Sequence, residues 1–130
     1  MFMNKKILII DDEQDILDLL SYNLKKEGFQ VCLSKTSDEG IDLAKTEAPD
    51  LIILDIMLPG TDGIETCQKL RECPQFEKTL IVFLSARSEA YTEVASFEAG
   101  ADDFIVKPIR PQAFISRIKA IFRRKAKYIK

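Results

Sequence analysis

With 130 residues, of which 46% are hydrophobic and 31% charged, the chain has the size and composition of one soluble globular domain with a full core. Its net charge of −2 excludes a general electrostatic attraction to nucleic acid or to an anionic membrane. The chain contains no histidine, so its side chains cannot form a Ser-His or Cys-His catalytic pair, and any metal should be a hard cation bound by oxygen.

The cysteines and the chain termini add weaker constraints. Cys32, Cys67 and Cys73 lack the CxxC spacing of a zinc site. The apolar segment at residues 7–10 is too short for a signal peptide, and no apolar run approaches the length of a membrane span. We therefore expect a cytoplasmic protein with reduced thiols and no membrane partner. Seven basic residues lie between positions 117 and 130; such a tail can contact phosphates, but we interpret it as a solvated helix end that leads into a linker.

Five apolar segments predict five strands, at residues 5–10, 29–34, 51–54, 80–84 and 103–106. The third and fourth are continuously apolar, which is typical of strands that are buried on both faces of a parallel sheet. A segment with apolar residues at helical spacing follows each strand. These segments are marked by Ile16, Leu19, Leu20 and Leu24; by Ile41, Leu43 and Ala44; by Ile64, Cys67 and Leu70; by Val94, Phe97 and Ala99; and by Phe114, Ile115, Ile118, Ile121 and Phe122.

Turn and cap residues support these boundaries. Gly28 stands where the C-cap of the first helix is expected, and Asp62 is placed to cap the third helix. The second helix should stop before Pro49, because the residue that precedes a proline avoids the α region. The regular alternation of strands and helices predicts an α/β fold of three layers: one doubly wound parallel sheet with helices on both faces, and no second domain.

Reactive polar residues end four of the five predicted strands. Asp11 and Asp12 follow the first strand, Asp55 the third, Ser85 the fourth and Lys107 the fifth. The carboxyl ends of parallel strands meet at one edge of the sheet, where α/β proteins bind ligands, so these side chains should gather there. Each residue has a plainer explanation by itself, such as capping a helix or ending a strand in solvent. Their coincidence at one edge favours a functional site.

The residue types at this edge predict phosphoryl transfer to an aspartate. Crowded carboxylates repel one another, which raises their pKa values or recruits a cation. Oxygen ligands that include one or two carboxylates suit Mg²⁺, which keeps several bound waters. A lysine ammonium can hold one phosphoryl oxygen and a serine hydroxyl can donate to another. An ionised carboxylate needs no general base to act as the nucleophile.

The same residues resemble the receiver domain of two-component response regulators. The resemblance rests on IIDDE at residues 9–13, LDIMLPGTDG at 54–63, LSA at 84–86 and GADDFIVKP at 100–108, in the order and spacing of the family. It predicts a receiver domain at residues 1–124, followed at 125–130 by the start of a linker or a C-terminal tail. It also implies a five-stranded, flavodoxin-like sheet with the strand order 2-1-3-4-5.

The resemblance implies that Asp55 is the phosphoacceptor, which receives its phosphoryl group from a sensor histidine kinase. Mg²⁺ would be held by Asp12, Asp55 and the backbone carbonyl of Met57, while Asp11 would act through a metal-bound water. A domain of this kind catalyses its own phosphorylation and dephosphorylation and is otherwise not an enzyme.

The resemblance also implies how the site is completed and how it switches. Ser85 and Lys107 would contact the phosphoryl oxygens, and the peptide bond between Lys107 and Pro108 would be cis, which costs little before proline. Switching in the family couples the hydroxyl on the fourth strand to an aromatic residue on the fifth. Here that aromatic residue is Phe104, where tyrosine is common. Because Phe104 has no hydroxyl, two interpretations stay open: a switch residue, or a phenylalanine of the core.

The C-terminal half resembles the OmpR/PhoB-type transcription factors. In that subfamily the fourth helix, fifth strand and fifth helix form the face of a symmetric homodimer through ion pairs. The matching positions here are Asp102, Asp103, Arg117 and Arg124. Glu93 stands where a basic residue is usual and Ala113 where its acidic partner is usual, so one ion pair is lost. Surface pairs contribute about 0–1 kcal/mol each, so we expect a weakened dimer in the phosphorylated state.

The same subfamily binds DNA through a C-terminal winged-helix domain, which these 130 residues do not include. We expect the receiver fragment of a DNA-binding regulator; the alternative is a stand-alone receiver that acts through protein–protein contacts. An aspartyl-phosphate hydrolase is disfavoured because Met57 stands where a second carboxylate is usual. A receiver-like module that takes no phosphoryl group is disfavoured by the acidic pair, Ser85 and Lys107.

Overall fold

The computed structural model describes residues 4–86 and 89–128. Five long strands alternate with five α-helices along these residues. We label the strands β1 (Lys6–Ile10), β2 (Gln30–Ser34), β3 (Leu51–Asp55), β4 (Leu80–Ser85) and β5 (Asp103–Val106). The helices are α1 (Gln14–Lys26), α2 (Ser37–Glu47), α3 (Gly63–Glu72), α4 (Ala90–Glu98) and α5 (Pro111–Tyr128). A small antiparallel hairpin, Met57–Leu58 with Thr61–Asp62, precedes α3, and a 3₁₀ turn, Pro74–Phe76, follows it.

The five long strands lie parallel in one sheet in the order β2-β1-β3-β4-β5. The predicted strand order and the doubly wound α/β fold are therefore confirmed. Every residue of β3 and β4 is buried, which explains why their sequences are almost continuously apolar. The register places Ile10 beside Leu54 and Asp55 beside Leu84, so that β1, β3 and β4 end at the same edge of the sheet.

Alternating strand residues contribute to two separate cores. On one face, side chains such as Ile9 and Ile53 pack with the apolar residues of α1 and α5. On the other face, side chains such as Ile10 and Leu54 pack with those of α2 and α3 and with Ala99, which directly follows α4. This period of two along the strands gives the helix–sheet–helix arrangement of three layers.

The cap residues lie where the sequence indicated. Gly28 follows α1 with a φ of 95°, a left-handed conformation that glycine adopts without strain. The Oδ1 atom of Asp62 accepts a hydrogen bond from the N–H of Ile64 at 2.9 Å and so caps α3. α2 ends at Glu47, two residues before Pro49.

Of the apolar residues expected to mark α4, Ala99 is buried, but the expectation is wrong for Val94 and Phe97. Val94 and Phe97 are 54% and 44% exposed, whereas the residues of α4 that lie against the sheet include Thr92 and Ser96. The Ser96 hydroxyl donates to the Thr92 carbonyl at 2.8 Å, so its burial does not leave an unpaired polar group. Hydrophobic spacing failed here because the buried face is formed by small residues and the large apolar residues lie in solvent.

α5 continues past the predicted boundary at residue 124 and runs through Tyr128. The ammonium of Lys125 contacts the carbonyl of Lys78, next to the start of β4. Within residues 4–86 and 89–128, no helix is both long and apolar enough to cross a bilayer.

Candidate functional site

Three carboxylates meet at the carboxyl edge of the sheet. Oxygen atoms of Asp11, Asp12 and Asp55 all lie within 4.8 Å of one another. Asp55 is the last residue of β3, and Asp11 directly follows β1, whose Ile10 pairs with Leu54 of β3. Asp11 and Asp55 are buried, while Asp12 is exposed. The structure thus brings together the three acids that the sequence predicted as neighbours.

Asp11 is held from one side. Its Oδ1 atom accepts a hydrogen bond from the N–H of Glu13 at 2.9 Å. Its buried Oδ2 atom lies 3.3 Å from the ammonium of Lys107 but has no hydrogen-bond partner among the described residues. Burial raises the pKa of Asp11 to about 6; the charge of Asp55 adds to the rise, while the hydrogen bond from Glu13 and the charge of Lys107 oppose it. The site therefore carries more negative charge than its own cation balances.

Asp55 is held at both carboxylate oxygens. Oδ1 accepts the N–H of Met57 at 3.0 Å, and Oδ2 accepts the ammonium of Lys107 at 3.2 Å. The following chain turns through the hairpin and returns beneath Asp55, where Gly63 donates its N–H to the carbonyl of Ile56 at 2.7 Å. A Cβ atom on Gly63 would lie 2.3 Å from the carbonyl oxygen of Asp55, so only glycine allows α3 to begin this close to β3.

Lys107 lies at the centre of the charge cluster, with its side chain 12% exposed. Its ammonium contacts Asp11, Asp55 and Glu13, at 3.3, 3.2 and 3.0 Å. Burial lowers the pKa of Lys107, but the hydrogen bond to Glu13 and the charges of Asp55 and Asp11 outweigh it and hold that pKa above its usual range. The peptide bond between Lys107 and Pro108 is cis. Lys107 is therefore a cation at neutral pH and can attract an anion.

Ser85 and Phe104 lie on the neighbouring strands. Ser85 is the buried last residue of β4, and its carbonyl accepts the N–H of Lys107 at 2.7 Å, which ties the ends of β4 and β5 together. Phe104 on β5 is buried in the core that faces α2, α3 and α4, and in the strand register it lies beside Phe83. In this structure Phe104 is thus a core residue, while its position one strand from Ser85 is also that of the predicted switch aromatic.

Asp12 and Met57 line a groove of about 640 Å³ beside the acidic cluster. The opposite wall is the first part of α4, with Tyr91, Thr92 and Ala95. The Met57 side chain is largely exposed at the start of the hairpin. The groove gives the acidic cluster access to solvent, which a divalent cation and a phosphoryl donor would both need.

The raised pKa of Asp11 predicts that, in the absence of metal, the stability of the chain depends on pH. Its folded pKa of about 6 lies above its ordinary 3.8, so the folded state takes up the proton first and stability should fall as the pH rises through this interval. Asp11→Asn mimics the protonated form and should be more stable than the original chain by about 1–2 kcal/mol at pH 7, with a difference that shrinks towards pH 4. Urea unfolding of both proteins in EDTA measures this difference; a difference that does not change with pH would contradict the assignment.

The sequence model of the response regulator receiver domain matches residues 7–119. This chain belongs to that family. Receiver domains of response regulators are signalling modules that interact with histidine kinases, and they are not classical enzymes.

Individual relatives agree with the family assignment. The alkaline phosphatase synthesis transcriptional regulatory protein PhoP of Bacillus subtilis (strain 168) is 46% identical over 124 residues, which are 94% of this chain and 50% of that protein. The chain therefore spans half the length of this curated relative. The BeF3-activated N-terminal receiver domain of RstA from Klebsiella pneumoniae is 31% identical with a TM-score of 0.83, covering 91% of this chain and 98% of that chain.

A further solved structure points to the subfamily. DrrB, an OmpR/PhoB homologue from Thermotoga maritima, is 32% identical with a TM-score of 0.84; the match covers 95% of this chain and 54% of that chain. The matches to DrrB and PhoP show that this receiver domain resembles the OmpR/PhoB-type regulators. The sequence of the C-terminal half of the chain had predicted this resemblance.

In this receiver domain, Asp102 of the predicted dimer face is engaged within the chain. Its Oδ2 atom accepts hydrogen bonds from Arg71 at 3.0 Å and from the N–H of Ile81 at 2.9 Å. Arg71 also donates to the carbonyls of three residues: Gly100, Phe76 and Thr79. Sequence reasoning missed Arg71, because an arginine in the last turn of an amphipathic helix usually signals a solvated side chain near the helix C-terminus.

Asp103 and Arg117 form a second pair within the receiver domain. The Arg117 guanidinium donates to both Asp103 oxygens, at 2.8 and 3.2 Å, and to the Phe104 carbonyl at 3.1 Å. Glu93 and Ala113, the two departures from the subfamily, line a groove of about 540 Å³ across β5 together with Arg117. Arg124 lies elsewhere, beside Arg71 and Asp102 near the start of β4. The four predicted ion-pair residues therefore occupy two separate places on this surface.

Proposed function

We propose that this receiver domain accepts a phosphoryl group on Asp55 from a sensor histidine kinase. The observation that carries the proposal is the arrangement of the Asp55 carboxylate. One oxygen is held by the N–H of Met57 and the other by Lys107, in a cluster with the buried Asp11 and the exposed Asp12. This is a positioned, partly neutralised nucleophile at an accessible sheet edge. The receiver domain of RstA is BeF3-activated, which supports the proposal that a receiver domain of this kind responds to a phosphoryl-like ligand.

The reaction is an in-line transfer between two nucleophiles. A carboxylate oxygen of Asp55 forms a bond to phosphorus while the bond from phosphorus to the donor histidine nitrogen breaks, and that nitrogen keeps the electron pair. Lys107 would balance charge on the phosphoryl oxygens, and the hydroxyl of Ser85, the last residue of the neighbouring strand β4, would donate to one of them. Because Asp55 attacks as a carboxylate, the step needs no general base.

The acidic cluster fits Mg²⁺. Asp11 Oδ2 is buried and accepts no hydrogen bond from the residues that the structure describes, and all three acids offer oxygen ligands within 4.8 Å of one another. Asp12 and Asp55, with the backbone carbonyl of Met57, would hold the ion directly, and Asp11 would hold it through a bound water. When bound, the ion supplies positive charge between the carboxylates and the phosphoryl oxygens.

The proposed output is a change of the face formed by α4, β5 and α5, which would control homodimerisation and, through a C-terminal domain, binding to DNA. Exposed Tyr91, Val94 and Phe97 on α4 give this face apolar area that a partner could cover. Asp102 and Asp103 are engaged by Arg71 and Arg117, so a homodimer would have to share or exchange these pairs.

PhoP of Bacillus subtilis is a transcriptional regulatory protein, and its match to this chain supports an output of that kind. A stand-alone receiver that acts through protein–protein contacts remains the second candidate. The altered pair at Glu93 and Ala113 favours it, because this pair cannot stabilise the dimer of the subfamily.

Acetyl phosphate tests the proposed transfer. With Mg²⁺, the chain should gain the mass of one phosphoryl group, and the gain should require both the metal and Asp55. Intact-mass spectrometry of the original chain and of Asp55→Asn measures it, with Asp50→Asn, a carboxylate whose Oδ2 atom accepts the N–H of Lys6, as the control that should still be modified. An equal mass gain in Asp55→Asn would refute the proposal.

A further inference from the structure

Glu13 has the shortest ion-pair contact with Lys107, although it is outside the acidic cluster. Its Oε1 atom lies 3.0 Å from the ammonium, compared with 3.2 Å for Asp55 and 3.3 Å for Asp11. The ammonium has three N–H donors, and those to Glu13 and Asp55 are in hydrogen-bond geometry. Lys107 therefore divides its hydrogen bonds between the proposed phosphoacceptor and a residue with no place in the predicted site.

The backbone of Glu13 takes part in the hydrogen bonds at the start of α1, whereas its side chain does not. Its N–H donates to Asp11 at 2.9 Å and its carbonyl accepts the N–H of Leu17 at 3.1 Å, as expected at the start of α1. The side chain makes no capping hydrogen bond and is 57% exposed. Its contact with Lys107, across 94 residues of sequence, is thus independent of helix formation.

A phosphoryl group on Asp55 would bring new oxygen acceptors next to an ammonium that already donates to Glu13 and Asp55 and lies 3.3 Å from Asp11. The Lys107 side chain is mostly buried, so a movement of its ammonium towards these oxygens would weaken the contact with one of its three present partners. Asp11 is buried, and leaving its charge unpaired would be costly. Glu13 is the exposed partner, and water can replace the ammonium at its carboxylate at little cost.

We propose that Glu13 is a positioning residue that holds the Lys107 ammonium in the unphosphorylated state and competes with the phosphoryl oxygens for it. The inference rests on the proposed function of Asp55. Glu13 and Lys107 should therefore have opposite effects on the affinity for a phosphoryl group. Loss of the Lys107 side chain should lower this affinity, whereas loss of the Glu13 side chain should raise it. A partly exposed ion pair of this kind corresponds to about a two- to fivefold change in affinity.

Beryllofluoride, at saturating Mg²⁺, is the probe for this competition. ¹⁹F NMR titration should show that Glu13→Ala binds it about two- to fivefold more tightly than the original chain. Asp15→Ala is the matched control: Asp15 is an exposed acid in the same first turn of α1, and within the described residues it forms no ion pair. It should leave the affinity unchanged. In a Lys107→Ala background, the change at Glu13 should have no effect.

The Lys107 side-chain ¹⁵Nζ resonance provides a second readout that does not depend on a stable Lys107 variant. Without ligand, this resonance should shift in Glu13→Ala and not in Asp15→Ala. An affinity for beryllofluoride that is equal in these two variants, or an unshifted resonance, would overturn the role of Glu13. If the original chain itself binds no beryllofluoride, the proposed function of Asp55 fails; if it binds and Glu13→Ala has no effect, only the inference on Glu13 fails.

Discussion

Replacing Arg71 with alanine is expected to lower the free energy of unfolding by about 3 kcal/mol. The guanidinium donates hydrogen bonds to the carbonyls of Phe76, Thr79 and Gly100 and to the carboxylate of Asp102. It thereby joins the end of α3 to the 3₁₀ turn, the start of β4 and the turn between α4 and β5. Alanine would remove a hydrogen bond from each of these partly buried acceptors, although Asp102 would keep the N–H of Ile81 and the Phe76 carbonyl that of Thr79. Urea unfolding, followed by far-UV circular dichroism, measures the loss.

Two variants on α3 distinguish the loss of the Arg71 hydrogen bonds from the loss of any cation on this helix. Lys69→Ala removes a half-exposed cation that lies 3.9 Å from Glu65, and its stability should stay within about 0.5 kcal/mol of the original. Arg71→Lys keeps the charge but lacks the planar fork of donors, so most of the loss should remain. If Arg71→Ala were no less stable than Lys69→Ala, the role of Arg71 in joining these elements would be wrong.

Gly63→Ala should be the most damaging substitution beside the site. Its Cβ atom would lie 2.3 Å from the carbonyl oxygen of Asp55 and 2.6 Å from the Cα atom of Ile56. Both atoms belong to the backbone, so the chain around Asp55 must move. We expect a loss of about 2–3 kcal/mol of stability and at least a tenfold slower phosphorylation by acetyl phosphate, because displacement of a reacting group by about 1 Å is enough for such a loss.

Gly60→Ala is the matched control for the hairpin. Gly60 has a φ of 74° but no atom within 4 Å of an added Cβ, so alanine there introduces backbone strain without a collision. It should cost about 1 kcal/mol and leave the phosphorylation rate nearly unchanged. Equal rates of phosphorylation for the two alanine variants would show that the close approach of α3 to β3 does not position Asp55.

The fold and the acidic cluster were predictable from sequence because buried parallel strands leave continuous apolar runs and all end at the same edge of the sheet. An unbroken apolar run such as that of β3 indicates a central strand, and all such strands end at one edge. Asp11, Asp55 and Lys107 each follow such a run directly, so the sequence placed them side by side before any distance was known. The contacts among their charged groups then follow from the register of β1, β3, β4 and β5.

Other features depend on contacts that leave no mark in local sequence. Glu13 has the residue type expected in the first turn of a helix, and its contact with Lys107 depends on how α1 and β5 meet in space. Arg71 is likewise an ordinary residue for a helix end. The outward face of α4, with Val94 and Phe97, was misassigned because hydrophobic spacing shows which residues share a face but not whether that face is covered.

Location of the phosphoryl group is the measurement that tests the central claim most directly. The chain is phosphorylated with acetyl phosphate and Mg²⁺, the acyl phosphate is reduced with borohydride, and the proteolytic peptides are sequenced by tandem mass spectrometry. We predict modification at Asp55 alone, in the peptide that contains the end of β3, and none in Asp55→Asn. Modification of Asp11 or Asp12 in the original chain, or an unmodified Asp55 in a chain that has gained phosphate, would contradict the account.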